Sequence, residues 1–244
     1  MLKATIGLWL LASICALQAT VSTLSLPGRK SLLSIYKGYI EDATNNIKQN
    51  LTYLTSYSVH AKSKLNSFLK LLYNAVRFSF RRKVATKLGD IRITTIGREK
   101  CKDVEKCYDD AENKMNIIEN TTIYELQECI KVGLDYYDVP VINLKKEGQD
   151  ILIESTYLFL SCIKGFIIKH SCMARDLISA KRQIDKFGKN FKEFKQENTL
   201  FQAAANTCWT CMQDKVKNTT FIITEVMKQS ETCMENAAPM LKYK

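Results

Sequence analysis

Cysteine is the residue type with the clearest capacity for chemistry in this chain of 244 residues. It occurs nine times: Cys15 lies in an apolar leader, and Cys101, Cys107, Cys129, Cys162, Cys172, Cys208, Cys211 and Cys233 follow. An even number of cysteines in an exported chain implies disulfides, so these eight are the disulfide candidates. Cys208-Trp209-Thr210-Cys211 forms a CxxC. Such a pair can run thiol–disulfide exchange when one thiol is acidified. That chemistry belongs at a strand-to-helix junction, whereas residues 201–205 and 212–216 read as helix with no strand before them. The two cysteines are therefore expected to bridge to different partners. Zinc would need a second CxxC or a CxxxH, and the chain has neither, so no metal or cofactor site is expected.

Other catalytic signatures are missing too. His60 and His170 stand far apart, and His170 lies two residues from Cys172, which on a helix sets them on different faces. The sequence lacks a nucleophile elbow, a zinc-protease helix, a phosphate-binding loop, a dinucleotide fingerprint and a calcium loop. Asp109-Asp110 falls at a charged helix start, where acids complement the helix dipole. No enzymatic activity is expected.

Export is read from three features. Met1-Leu2-Lys3 precedes an apolar run from Ala4 to Ala19 that ends in small residues, the pattern of a cleaved signal peptide over residues 1–22. The cysteines are the second feature. The third is three N-glycosylation sequons, at Asn50, Asn120 and Asn218. A secreted, extracellular glycoprotein is expected.

The elements that position these residues are expected to be helices, because Gly (9) and Pro (3) are scarce. Charge divides the chain into an N-terminal basic arm, residues 23–98, a cysteine-containing domain, residues 99–236, and a tail, residues 237–244. Residues 59–98 hold ten Lys/Arg against Asp90 alone. Lys62, Lys64, Lys70, Arg77, Arg81, Arg82, Lys83 and Lys87 form the candidate basic patch. With Phe78 and Phe80 beside it, the patch suits an anionic surface, membrane or glycan, while nucleic acid is a poor partner for an exported chain. A solvated helix face and a dibasic processing site are the alternatives.

In the arm, residues 31–58 read as one helix. Leu65, Phe68, Leu69, Leu72, Val76 and Phe80 make the apolar stripe of a second. Residues 89–97, bracketed by Gly89 and Gly97, are expected to break the helix. Further helices are expected over 104–116, over 124–136 ending before Val139-Pro140, after Gly148 through Cys162 to Ile167, over 177–194, over 199–216 and over 221–235. Cys107–Cys129 and Cys211–Cys233 are equal intervals of 22 steps, which on a helix span about 33 Å. Neither interval can close on itself unless the chain turns back, and the Asn-Thr-Thr near each middle is the expected turn. Nor can Cys162 and Cys172 bond within one straight helix.

Cys107-Tyr108, Cys129-Ile130, Leu160-Ser161-Cys162, Cys172, Cys211 and Cys233-Met234 together resemble the insect tsetse EP-type domain of small secreted proteins, over roughly residues 100–236. The resemblance implies a helical secreted fold of insect gut or secretory tissue, and no reaction. Cys101 and Cys208 fall outside its pattern, which implies that they pair with each other.

The fold expected is thus an all-α, disulfide-stabilised helical bundle with an N-terminal basic helical arm. The function expected is non-enzymatic binding of an extracellular partner. Two alternatives are an anionic-surface or membrane-active role through residues 59–98 and carriage of a small apolar ligand.

Overall fold

The computed structural model describes residues 32–96, 102–161, 163–164, 167–168, 170–196 and 198–237. The chain divides into two units, residues 1–43 and 44–244. The first is described only from Leu32, as the beginning of a helix. The elements are α1 (Leu32–Ile96), α2 (Lys102–Ser161), β1 (Ile163–Lys164), β2 (Ile167–Ile168), α3 (His170–Gln196) and α4 (Asn198–Ala237). The fold is all-α. Its one sheet among the described residues is a two-residue antiparallel pair, Ile163 with Ile168 and Lys164 with Ile167.

Within residues 44–237, α2 runs antiparallel to α1. Lys62 pairs with Asp138, Arg81 with Glu119 at 2.9 Å and Arg92 with Glu105 at 2.6 Å, so numbers rise along one helix as they fall along the other. α3 and then α4 run parallel to α1. Tyr53 and Tyr57 meet the ring edges of Phe191 and Phe194, and further along Lys83 meets Thr220 and Thr95 meets Met234. Three columns of helix result: α1, α2, and α3 followed by α4.

Two apolar cores lie between the columns. One joins Leu54, Leu65 and Leu69 of α1 to Leu126, Tyr137 and Leu144 of α2, Phe187 and Phe191 of α3, and Ala204 and Met212 of α4. The other joins Phe80, Val84 and Ile91 to Val104, Ala111 and Met115 and to Ile223, Val226 and Met234. Each Val, Leu, Ile, Phe or Met side chain among them contributes about 1.5–3 kcal/mol on full burial. Both cores draw on the basic segment and on the cysteine helices alike. The arm is packed over residues 44–96, and the sequence division at 98/99 is one of charge and cysteine content, not of packing.

Close approach of the columns needs small residues. A Cβ added at Gly133 would meet the Cβ of Cys208 at 2.9 Å, the carbonyl of Ala204 at 3.0 Å and a methyl of Leu69 at 3.0 Å. At Gly148 it would meet Leu51 and Phe187, both at 2.9 Å.

Several expected helix breaks are absent. α1 continues from residue 58 to 65 and on through Gly89 to Ile96, because Ile91 and Thr95 are buried and hold the last turns, with the Thr95 hydroxyl donating to the Ile91 carbonyl. α2 runs through Val139-Pro140. Pro140 lies on its exposed side, while Tyr137, Val141 and Leu144 are buried on the other and keep the helix in register despite the missing N–H. Neither Asn-Thr-Thr is a turn. Thr122, Thr219 and Thr220 donate to the carbonyls of Ile118, Lys215 and Val216, the backbonding that lets threonine sit inside a helix. The helix expected through Cys162 to Ile167 ends instead at Ser161, where the short strands begin; Cys162 and Phe166 lie outside the described residues.

Candidate functional site: the cysteines, the cationic face and a groove

The equal cysteine intervals have a different meaning from the one their spacing suggested. Cys107 bonds Cys233 and Cys129 bonds Cys211, with Cα–Cα distances of 5.9 and 5.7 Å. Each bridge joins α2 to α4. Two antiparallel helices crosslinked at two levels must carry the same number of steps between crosslinks, here 22 on each. Neither helix turns back; each interval spans one straight face.

Cys208 is a free, fully buried thiol, so it does not pair with Cys101. Burial pushes this thiol up to about 11. That is the reverse of the electropositive, part-exposed setting that activates a thiol. Within the CxxC, Cys211 is committed to Cys129 and Cys208 faces Gly133. Cys101 and the side chains of Cys162 and Cys172 lie outside the described residues.

All three sequon asparagines are on helices. Asn120 and Asn218 are exposed and Asn50 is half-buried. His60 is exposed, and the side chain of His170 lies outside the described residues. Among the described residues no three His, Cys, Asp or Glu side chains cluster as metal ligands, and no helix is long and apolar enough to cross a membrane.

The basic patch is divided by its contacts. Lys62 and Arg81 pair with acids of α2, Lys87 pairs with Asp90 at 3.3 Å, and Lys83 donates to the Thr220 hydroxyl at 3.0 Å. Beyond the patch, Arg92 pairs with Glu105 and lies over the Tyr108 ring, 4.6 Å from its centroid. Lys64, Lys70, Arg77 and Arg82 make no ion pair among the described residues. Lys64, Leu71, Phe78 and Arg82 share the outward face of α1, and Leu71 and Phe78 are about seven-tenths exposed.

An open groove of about 890 Å³ lies between α1 and α4. Leu72, Val76, Phe80, Trp209 and Val216 give it an apolar floor. Lys83, Lys217 and Asp214 stand among its polar lining, two cations against one acid. Lys217 has no ion pair among the described residues. Sequence periodicity found Leu72, Val76 and Phe80 as an apolar stripe but gave no sign that part of it stays uncovered. Trp209, in the middle of the CxxC, is the sequence signal for it: a large aromatic flanked by small residues.

Family models, curated proteins and solved structures all yield no match to this chain.

Proposed function

We propose that this chain is a secreted, non-enzymatic binding protein that holds an amphipathic ligand with an anionic head in the groove between α1 and α4. The observation that carries this reading is the pairing of an apolar floor (Leu72, Val76, Phe80, Trp209, Val216) with Lys83 and Lys217. Its volume is that of a small-molecule site. Export is supported by the leader, by two disulfides, which persist in oxidising compartments, and by the sequons. The tsetse EP-type cysteine spacing favours an insect gut or secretory fluid as the setting.

Trp209 is the only tryptophan after the leader and lines the groove, so it reports occupancy directly. Titration of the secreted protein with lauric acid is expected to change its fluorescence saturably. Lys83→Gln with Lys217→Gln should weaken binding about tenfold, and Val76→Trp should fill the groove and abolish it. No saturable change, or binding untouched by both variants, would sink the reading.

A second reading is favoured by the outward face of α1, where Leu71 and Phe78 stand among cations without ion pairs. It is an interfacial surface for anionic membranes. Because Arg81 is engaged by Glu119, Phe78→Ala and Arg82→Gln are the informative variants. Sedimentation with anionic vesicles should fall for both, and equal binding to neutral vesicles would end this reading.

A further inference from the structure

Helix α2 carries a second apolar seam, opposite the one that packs on α1 and α4. Ile117, Tyr124, Val132, Val139, Ile142 and Ile153 are all exposed, from 44% at Val132 to 67% at Ile117. With Thr121, Glu128, Asp135, Lys146, Asp150 and Tyr157 they recur every three or four residues, the spacing of a helix-pairing seam. From Ile117 to Val139 the apolar members themselves fall seven or eight residues apart, so every second turn of the helix returns one to the same face.

The seam is its own complement. Turned end for end about the level of residue 137, it sets Ile117 opposite Tyr157, Val132 opposite Ile142, Tyr124 opposite Asp150 and Glu128 opposite Lys146. Neither Glu128 nor Lys146 has an ion pair within the chain among the described residues, whereas Glu119, Glu125, Asp138 and Glu147 on the same helix do. Asp135 opposite Val139, and Asp150 opposite Tyr124, are the positions where a charge meets an apolar or aromatic residue. The acids on the seam also make it a poor membrane surface.

We propose that this face binds a second copy of the chain, with the two α2 helices antiparallel about a two-fold axis level with residue 137. A two-fold contact uses one patch twice, so each favourable pair occurs twice. Forty residues of helix span about 60 Å, and a strip about 10 Å wide covers on the order of 600 Å² per copy. That reaches the lower end of specific interfaces, which suits a reversible dimer of micromolar strength. The proposal is independent of the groove, which lies between the other two columns.

Sedimentation equilibrium of the full secreted chain over about 1–100 μM tests it. The wild type is expected to dimerise reversibly. Lys146→Glu sets two acids against each other twice and should raise the dissociation constant about tenfold. Glu128→Lys alone should do the same, and Glu128→Lys with Lys146→Glu should return it to near the wild-type value. Both changed positions are exposed, so unchanged circular dichroism and melting would confirm intact folding. A monomer at every concentration, or a dimer insensitive to the single reversals or not restored by the exchange, would overturn the proposal.

Discussion

The hydroxyl oxygens of Thr122 on α2 and Thr219 on α4 lie 3.1 Å apart, buried between the two disulfides and nearer the Cys129–Cys211 bridge. Each also lies within bonding distance of its own helix, 2.7 Å from the Ile118 carbonyl and 2.9 Å from that of Lys215. Three contacts share two protons, so one is unmade at any instant. Valine keeps the shape and removes the hydroxyl. Thr122→Val leaves the Thr219 hydroxyl with a carbonyl acceptor and is expected to cost about 1 kcal/mol. The double Thr122→Val, Thr219→Val variant should cost less than the sum of the singles, since the pair acts together. Urea unfolding of the four proteins checks this; strict additivity would show that the two do not interact.

Two glycines on helices should respond to alanine with opposite sign. Gly133 has three atoms within 3.0 Å of a new Cβ, two from α4 and one from α1. Gly133→Ala is expected to destabilise by about 1–3 kcal/mol through overpacking. Gly188, in α3, has nothing within 4 Å. There alanine should stabilise by about 0.5–1 kcal/mol through helix propensity. Thermal melts of the two variants decide the matter, and a shift of the same sign in both would contradict the packing described.

The basic segment is held to α2 and α4 by apolar contact more than by charge. Leu69 is fully buried, and Leu69→Ala should cost about 2–5 kcal/mol. Arg81→Ala removes a part-exposed ion pair and should cost less than about 1 kcal/mol. Salt at about 1 M screens the pairs but leaves burial intact. Hydrogen exchange over residues 62–95 should therefore remain slow at high salt, and release of these amides would show that charge holds the segment.

The helical class and the apolar stripes were legible because Leu65, Leu69, Val76 and Phe80 repeat at helical spacing. Helix ends were not. Gly89 and Pro140 are breakers by local chemistry, but burial of Ile91 and Thr95, and of Tyr137 and Val141, outweighs them in long packed helices. Cysteine spacing showed two equal intervals without showing that they lie on facing antiparallel helices. That fact concerns partners distant in sequence, so no local pattern carries it. The same is true of the groove, whose walls come from residues 72–83 and 209–220. The charge imbalance was visible, and its use was half visible: the acids that answer Lys62, Arg81 and Arg92 are scattered along α2 in reverse order.

Stability should fall at alkaline pH. Burial raises the Cys208 thiol from 9.0 to about 11. It raises the Tyr137 phenol, buried without a hydrogen-bond partner, from 10.0 to about 12. Below about pH 8 both groups are neutral whether the chain is folded or not, and they contribute no pH dependence. Above it the unfolded chain ionises first, so unfolding releases protons and the folded state is progressively disfavoured up to about pH 12. Urea midpoints at rising pH should decline, and Cys208→Ala should lessen the decline. An unchanged slope in that variant would remove Cys208 from the account.

The crossed bridging of α2 and α4 is the claim on which register, groove and exposed seam all depend. Peptide mapping of the unreduced protein, expressed through a secretory route, by mass spectrometry tests it directly. The account predicts one peptide pair joined through Cys107 and Cys233, another through Cys129 and Cys211, and Cys208 alkylated only after denaturation. A Cys107–Cys129 or Cys211–Cys233 bridge, or Cys208 in any disulfide, would contradict it.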